Sequence, residues 1–271
     1  MPTLAWACLS RKTWPRQRGH GTQVCGNRDP RLQKDASGFR APLMLNATSS
    51  TIGVLASGGL DSCILVGHLL EQGHSVRPFY IRSGLFWETA EHRALERFLS
   101  AIATVKLEQL VTLDLPLADL YGEHWSITGR EVPNSESPDD AVFLPGRNAL
   151  LVIKAALWCQ LHGIGQLALG TLGSNPFPDA TNGFFADIES ALNRAVPVPV
   201  RLLRPFDGLD KRRVMELGRG LPLQWTLSCI DPVGGRHCGR CNKCAERKAA
   251  FRLLDAADPT DYAAEATGAA K

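Results

Sequence analysis

A short apolar run that breaks into Ser-Gly-Gly and resumes as a helical pattern is the part of this chain best suited to chemistry. Residues 52–56 read as a buried parallel strand, and residues 63–70 carry helical spacing. A glycine turn between a strand and a helix gathers backbone N–H groups and the positive end of the helix dipole around one point. Because Gly58 and Gly59 lack Cβ atoms, the backbone there can approach a phosphate closely. The turn therefore predicts an anion site.

The turn is not a kinase-type P-loop, since no Gly-Lys-Ser/Thr follows it. Residues 57–62, Ser-Gly-Gly-Leu-Asp-Ser, resemble the Ser-Gly-Gly-x-Asp-Ser loop of the PP-loop ATP pyrophosphatases. That resemblance implies a β,γ-pyrophosphate in the turn and an α-phosphorus open to attack, with ATP and Mg²⁺ as cofactors. An ordinary strand–helix turn that needed glycine is the alternative. The predicted ATP-binding residues are Ala56, Ser57, Gly58, Gly59, Leu60, Asp61, Ser62, Cys63, Ile64, Leu65 and Val66.

A second group of residues, near the C-terminus, has metal-binding spacing. Four cysteines in a C-x8-C-x2-C-x2-C pattern suit a closed, tetrahedral and therefore structural zinc (Zn²⁺) site. Two disulfides, four reduced thiols and an iron–sulfur cluster are the alternatives, and the iron–sulfur cluster is the hardest of these to exclude. The predicted zinc ligands are Cys229, Cys238, Cys241 and Cys244.

Alternating strands and helices have to position these two groups. The β-α-β-α-β order of the apolar runs predicts a mostly parallel, doubly wound five-stranded α/β sheet with helices on both faces. The predicted strands are residues 52–56, 75–81, 110–113, 167–170 and 200–203, and the predicted helices are residues 63–70, 88–103, 148–162, 184–192 and 211–217. Cys63 and Cys159 fall in helices, as small buried side chains. Residues 121–141 predict a long loop, in which Trp125 either stacks on a base or anchors packing.

The start of the chain differs in charge from the rest. Before Met44 there are eight basic residues against two acidic ones, and neither hydrophobic period is present. We predict a disordered basic extension at 1–48, an ATP-binding α/β domain at 49–222 and a helical zinc-binding extension at 223–271. For the first segment, a transit peptide and a true start at Met44 are alternatives. The slightly acidic remainder argues against a nucleic-acid partner, and the lack of a membrane-length apolar run makes the cytoplasm the expected location.

Four features together resemble one family, the 7-cyano-7-deazaguanine synthases of queuosine biosynthesis. They are the phosphate loop, the Leu-Pro-Gly-Arg-Asn run at 144–148, Lys211 after the fifth strand, and the cysteine spacing followed by Arg247 and Phe251. The resemblance implies an enzyme that adenylates a 7-deazaguanine carboxylate with ATP. Ammonia then displaces AMP, and the resulting amide is activated again to form a nitrile. A homodimer is left open, because the sequence gives no handle on oligomeric state.

The resemblance and the chemistry assign roles to individual residues. The phosphorus under attack gains negative charge, so fixed cations and dipoles should surround it. Asp61 would cap the helix or help to place Mg²⁺. Arg147 could bind phosphate or carboxylate, and its alternative role is a salt bridge on the surface. Lys211 would contact phosphates by the resemblance, and its alternative role is a solvated charge. The predicted catalytic residues are Ser57, Asp61, Ser62, Arg147 and Lys211.

Three further residues are predicted to contact the acid substrate: Arg82, Asn148 and Asp179. Asp179 aligns with a Tyr-Pro-Asp-Cys stretch of the family and could accept from the N–H groups of a guanine-like ring, or else serves as a turn residue. The chain departs from the family at both substrate loops. Residues 80–84 read Tyr-Ile-Arg-Ser-Gly instead of Tyr-Gly-Gln-Arg-His, and residues 177–181 read Phe-Pro-Asp-Ala-Thr. The sequence therefore predicts activation of a carboxylate by ATP more firmly than it predicts which carboxylate is the substrate.

Four functions are compatible with these residues. The leading hypothesis is the ligase of a deazapurine carboxylate and ammonia, and the second is the same AMP-forming chemistry on another carboxylate. The third is sulfur transfer to an RNA base, for which Cys63 is the candidate carrier. A non-catalytic zinc module is the fourth, disfavoured because the phosphate loop is complete. The first three release AMP and pyrophosphate, never ADP.

Overall fold

Five parallel strands form one sheet at the centre of the structure, a computed structural model that describes residues 51–263. The strands are β1 Thr51–Leu55, β2 Ser75–Arg82, β3 Val111–Asp114, β4 Gln166–Leu169 and β5 Arg201–Leu203. Their order is β3-β2-β1-β4-β5, and each neighbouring pair is parallel. The predicted doubly wound α/β fold is therefore confirmed. The predicted basic extension, residues 1–48, lies outside the described residues.

Helices cover the sheet, and the five that were predicted with bounds, α1, α2, α5, α6 and α7, begin and end within three residues of the prediction. They are α1 Leu60–Glu71, α2 Glu88–Ala101, α3 Ala118–Tyr121, α4 Trp125–Thr128, α5 Arg147–Leu161, α6 Asn182–Ala195, α7 Lys211–Leu217 and α8 Asn242–Leu253. The short helices α3 and α4 were not predicted. None of the helices in the described part of the chain is long and apolar enough to cross a membrane.

The segment predicted as one long loop, residues 121–141, contains the helical turn α4. His124 caps this turn, because its ring Nδ1 accepts a hydrogen bond from the Ser126 N–H at 3.3 Å. Gly129 ends the turn in the left-handed region, with φ of 68°. Four residues are too few to show a helical period, so the pattern of apolar residues could not reveal this turn.

Buried side chains divide between the two faces of the sheet. One cluster joins β1 and β2 to α1, α2, α7 and α8, and a second joins β2 and β4 to α5. Cys63 and Cys159 are fully buried, one in each cluster, as predicted. Phe251 of α8 belongs to the same cluster as α1. Because α8 packs in the same core as α1, the domain boundary predicted after residue 222 stays a prediction from the sequence.

The chain changes direction across the sheet between β3 and β4. β3 lies at one edge, whereas β4 pairs with β1 in the middle. In open α/β sheets such a switch point leaves a crevice at the carboxyl ends of the two central strands, and ligands bind there. The backbone packs closely at this point, since a Cβ on Gly170 would lie 3.1 Å from the backbone carbon and oxygen of Asp61. The turn after β1 therefore opens onto this crevice.

Arg247 of α8 ties the C-terminal helix to the rest of the fold. It is 1% exposed, and its guanidinium donates to Thr226 Oγ1 at 2.8 Å, to the Leu223 carbonyl at 2.9 Å and to Thr260 Oγ1 at 2.6 Å. Ser228 Oγ lies 3.3 Å from the same guanidinium. A buried charge is tolerated when its donors are satisfied, and each of these acceptors would lose its partner if the arginine were removed.

Replacing Arg247 by methionine should lower the free energy of unfolding by about 3 kcal/mol, because buried acceptors lose a charged donor. Urea unfolding followed by circular dichroism measures the change. Arg252→Met is the matched control, since Arg252 lies exposed on the same helix and should change stability by less than about 0.5 kcal/mol. Equal losses in the two variants would contradict a structural role for Arg247.

Candidate functional site

The turn after β1 is held in shape by its own serines and by two distant segments. Ser62 Oγ accepts from the Ser57 N–H at 3.1 Å and lies 3.2 Å from Ser57 Oγ. Gly58 has φ of +81°, in the left-handed region that favours glycine, and a Cβ there would lie 2.8 Å from the Glu91 carbonyl oxygen. The Leu227 N–H donates to the Gly58 carbonyl at 2.8 Å. The turn is therefore fixed by α2 and by the C-terminal part of the chain.

The first turn of α1 presents its N–H groups to the crevice. Gly59 is the N-cap residue and has no side chain to accept from them. Of the predicted ATP-binding residues, Ala56, Ser57, Gly59, Leu60, Asp61 and Ser62 line the crevice. The other members of α1 in that prediction are fully buried in the core: Cys63, Ile64, Leu65 and Val66. The turn thus has the geometry of an anion site. The four buried residues of α1 anchor the helix in the core and do not face the crevice.

Lys211 lies beside the turn although it is 150 residues away from Asp61 in sequence. It is the first residue of α7, whose N-cap Asp210 accepts from the Arg213 N–H at 2.7 Å. The Lys211 Nζ lies 2.7 Å and 2.9 Å from the two carboxylate oxygens of Asp61. Both side chains are between a fifth and a third exposed, at 22% and 28%, so a ligand can reach the pair. Two of the predicted catalytic residues are thus in direct contact.

These residues line a cleft of about 350 Å³ at the carboxyl ends of β1, β2 and β4. Two aromatic pairs form part of its wall. Phe143 and Phe177 stack with ring centroids 4.9 Å apart, and Trp87 and Trp125 stack at 5.7 Å. Trp125 therefore packs against Trp87, which is one of the two roles predicted for it, and it also faces the cleft. Flat apolar walls of this kind suit a planar ring.

A second cation and acid pair lies on α8. Lys243 Nζ contacts Glu246 Oε2 at 2.6 Å, and both residues line the cleft. Burial by itself would raise the pKa of Glu246, but the positive charges of Lys243 and Lys211 outweigh it and lower that pKa. Glu246 is therefore held as a carboxylate, and it places a negative charge within reach of both lysines.

Arg147, the first residue of α5, also lines the cleft. Its Nε is buried and has no hydrogen-bond partner among the described residues. A buried guanidinium N–H without an acceptor is a position where an anionic oxygen of a ligand can bind. The predicted catalytic residue Arg147 is therefore placed where it can reach phosphate or carboxylate.

Glu91 of α2 faces the same cleft from a buried position. It is 8% exposed, and its Oε2 accepts from the Tyr80 hydroxyl at 2.9 Å. Burial raises the pKa of Glu91 to about 7, although Arg147 and the hydrogen bond from Tyr80 act in the opposite direction. The cleft thus contains one carboxyl group that changes charge near neutral pH.

Asp179 and Asn148, both predicted to contact substrate, bond to each other. The Asn148 N–H donates to Asp179 Oδ2 at 3.1 Å, and the Asn148 side-chain amide donates to Asp179 Oδ1 at 3.3 Å and to the Asp179 carbonyl at 3.0 Å. Asp179 is 7% exposed and caps the start of α5 from another segment of the chain. Both residues line the cleft, but each carboxylate oxygen of Asp179 already accepts a hydrogen bond.

The residue predicted to contact substrate at the end of β2 and the candidate sulfur carrier both lie away from the cleft lining. Arg82, at the end of β2, is exposed and does not line the cleft, so the structure does not bring it together with the other predicted substrate residues. Cys63 is fully buried, and burial raises the pKa of its thiol well above the usual range. A sulfur-carrying role needs an accessible thiolate, which this position does not provide.

Four charged residues of the cleft were missed as site residues. They are Glu91, Lys243, Glu246 and Arg247. A signal for Glu91 was present, because it shares the apolar face of α2 with Leu95 and Phe98 at helical spacing, where an acid is unexpected. The three residues on α8 reach the cleft only through tertiary packing, which the local pattern does not show.

The four predicted zinc ligands come together in one buried cluster. Their sulfur atoms all lie within 4.8 Å of one another, with 3.8 Å between Cys229 and Cys241 and 4.0 Å between Cys238 and Cys244. Zn–S bonds of about 2.3 Å in a tetrahedron place sulfurs roughly 3.8 Å apart. Backbone N–H groups of Asp231, Cys238 and Cys241 lie 3.3–3.4 Å from the cluster's sulfurs, which suits thiolates. The cluster fits zinc, and the cysteines are not paired as disulfides.

The comparisons with known proteins agree with the resemblance seen in the sequence. The family model described as "Queuosine biosynthesis protein QueC" matches residues 51–255. The 7-cyano-7-deazaguanine synthase of Methanopyrus kandleri is 32% identical over 230 residues, which cover 79% of this chain and 99% of that protein. The 7-cyano-7-deazaguanine synthase 1 of Desulfitobacterium hafniense is 31% identical over 205 residues, which cover 74% of this chain and 90% of that protein.

A solved 4-thiouridine synthetase–RNA complex with bound ATP is similar at a TM-score of 0.44 and 17% identity, over 76% of this chain and 50% of that one. A likeness of this strength has no bearing on function. The named relatives are synthases, which confirms the prediction of an enzyme family rather than a non-catalytic zinc module. The family model covers most of the chain, and the chain belongs to the QueC family of queuosine biosynthesis proteins.

Proposed function

We propose that this protein is an ATP-dependent ligase that converts a 7-deazaguanine carboxylate, through its amide, into 7-cyano-7-deazaguanine. The observation that carries the proposal is the contact of Lys211 with Asp61 at the start of α1, in a chain whose relatives are named 7-cyano-7-deazaguanine synthases. A carboxylate does not react with ammonia until one of its oxygens becomes part of a leaving group. Adenylation provides that leaving group and releases pyrophosphate, for which the turn supplies N–H donors.

The roles follow from charge. Ser57, Ser62 and the first N–H groups of α1 bind the pyrophosphate part of ATP, and Lys211 offsets its negative charge. Arg147, with its unpartnered Nε, binds an oxygen of the α-phosphate or of the acid. Mg²⁺, when bound, offsets phosphate charge, and the Asp61 carboxylate is the oxygen ligand that the turn offers it. Each role is carried by a side chain or N–H group that faces the cleft.

The planar acid lies against the aromatic walls. The rings of Phe143 and Phe177 offer a flat apolar surface beside Asn148 and Asp179, whose mutual hydrogen bonds keep the start of α5 in place. Because Asp179 is already a helix cap, it contributes to recognition by fixing that wall and with its remaining lone pairs. Ammonia is small and enters as the nucleophile, so it needs no dedicated binding pocket.

A second candidate is the same AMP-forming chemistry on a different carboxylate. The observations that favour it are at the substrate loops: Arg82 lies outside the cleft, and the residues after Asp179 are Ala180 and Thr181. These positions differ from the family pattern, whereas the phosphate loop does not. Sulfur transfer to RNA is disfavoured, since Cys63 is buried and its thiol pKa is raised.

The proposal is tested by incubating the purified protein with Mg-ATP, ammonium and 7-carboxy-7-deazaguanine. Mass spectrometry should show the amide, then the nitrile, together with AMP and without ADP. Absence of AMP with this acid would overturn the proposed substrate. AMP formation with another planar carboxylate would then support the second candidate.

Replacing Lys211 by methionine should lower the rate of AMP formation by about 10²-fold, because a fixed cation beside the developing charge is lost. Initial rates at saturating ATP measure the effect. Arg213→Met is the matched control, since Arg213 lies on the same helix, is 63% exposed and pairs with Glu216 on the surface. A rate for Lys211→Met within twofold of the wild type would contradict the role given to Lys211.

We also propose that the cysteine cluster binds one zinc ion per chain. Purified protein should contain about one equivalent of zinc by mass spectrometry of metals, without the visible absorption of an iron–sulfur cluster. Cys244→Ser should lose the metal and unfold at a lower temperature, because metal binding contributes to folding. Cys159→Ala, on the other face of the sheet, should keep its zinc. Iron and acid-labile sulfide in the wild type would contradict the assignment.

A further inference from the structure

Four acidic residues line the cleft, and three of them are engaged. Asp61 contacts Lys211, Glu246 contacts Lys243, and the Asp179 carboxylate accepts from Asn148 on both oxygens. The fourth is Glu91, which makes no ion pair within 4.0 Å in the described part of the chain. Its Oε2 accepts from the Tyr80 hydroxyl. Among the four acids that line the cleft, Glu91 is thus the one that neither forms an ion pair nor caps a helix.

The position of Glu91 is not explained by packing. It lies on the buried face of α2, where Leu95 and Phe98 contribute to the core. Burying a carboxyl group costs free energy unless it is well paired, and an apolar side chain would fit this face better. Its backbone carbonyl also lies next to the phosphate turn, 2.8 Å from where a Cβ on Gly58 would stand. An acid kept here at a cost in stability, beside the proposed ATP site, calls for a chemical role.

The proposed ligation has a proton that no residue has yet been assigned to accept. The nitrogen lone pair of ammonia attacks the acyl carbon of the adenylate, and a C–N bond forms. The C–O bond to AMP breaks, and AMP leaves with the bonding electrons. The nitrogen is then left with one proton too many, and that proton has to move to a base. Making the nitrile from the amide removes two further protons from the same nitrogen.

We propose that the Glu91 carboxylate is the base that accepts the proton from the attacking nitrogen; the proposal rests on the ligase function proposed above. Glu91 then passes the proton to solvent before the next turnover. A base placed on the cleft wall raises the rate of such a step by about 10²–10⁴-fold. The oxygens of the other three acids are already engaged, because Asp61 and Glu246 each contact a lysine and both carboxylate oxygens of Asp179 accept from Asn148.

The charged groups around Glu91 support a base that works near neutral pH. Burial raises its pKa to about 7, while Arg147 on α5, the Tyr80 hydroxyl on β2 and the Trp87 side chain lower it and Glu88 on α2 raises it. Below pH 7 the group is protonated and cannot accept a proton. At a constant concentration of free ammonia, the nitrogen step should therefore speed up as the pH rises through about 7. Removing the Tyr80 hydroxyl takes away a donor to the charged form and should move this rise to higher pH.

The test uses the full chain with Glu91→Gln, which keeps the size of the side chain and an acceptor for Tyr80. Three rates are measured with 7-carboxy-7-deazaguanine: acid-dependent ATP–pyrophosphate exchange, amide formation at a constant concentration of free ammonia, and hydroxamate formation with hydroxylamine. Exchange reports adenylation alone. Hydroxylamine is largely unprotonated at neutral pH and its adduct loses a proton readily, so it needs little help from a base.

Glu91→Gln should retain exchange and hydroxamate formation and lose about 10²-fold or more in amide formation. The matched control is Glu96→Gln, an exposed acid on the same helix, which should retain all three rates. Tyr80→Phe should shift the rise of amide formation to higher pH.

Equal losses of exchange and amide formation in Glu91→Gln would overturn the proposal, because Glu91 would then serve nucleotide binding. Unchanged amide formation, or an unshifted profile in Tyr80→Phe, would also overturn it. A wild-type protein without exchange would contradict the ligase function itself and this proposal with it.

Discussion

Close backbone contact at the carboxyl end of β1 is the constraint on which the rest of this site depends. A Cβ on Gly58 would lie 2.8 Å from the Glu91 carbonyl, and one on Gly170 would lie 3.1 Å from the backbone of Asp61. Both glycines are therefore needed for α2 and the end of β4 to close on the phosphate turn. This contact sets the cleft where the strand order changes direction, and it also brings Glu91 beside the turn.

Charge balance within the cleft decides what each ionisable group can do. Lys211 contacts Asp61, and Lys243 contacts Glu246. Although burial acts to raise the pKa of Glu246, the two lysines lower it and hold this group as a carboxylate. Arg147 differs from these lysines, because its buried Nε has no hydrogen-bond partner among the described residues. It is therefore free to donate to an anionic oxygen of a ligand. Glu91 differs from all of them because burial, not a cation, sets its pKa. In the function proposed above, binding and proton transfer thus belong to different residues of one cleft.

The sequence predicted the features that are local and left out those that depend on distant contacts. The phosphate turn, the alternation of strands and helices, and the cysteine cluster each show in short stretches of residues. The contact between Asp61 and Lys211 spans 150 residues; the family resemblance assigned both residues to one site, but it did not predict this contact. The capping of α5 by Asp179 could not be predicted either, because the cap comes from outside the helix. Glu91 was recognisable in the sequence as an acid on the apolar face of α2, but it was not predicted as a site residue.

The cysteine cluster and the cleft are parts of one structure, although they are separate in the sequence. α8 begins at Asn242, and two of the four cysteines, Cys241 and Cys244, flank its first residues. Lys243 lies between these two ligands and lines the cleft, so fixing the sulfur atoms also fixes that lysine. Arg247 follows one turn later and holds the segment that donates to the phosphate turn through Leu227. A metal bound to these sulfurs would order this helix start, so losing it should disturb the cleft before it disturbs the sheet.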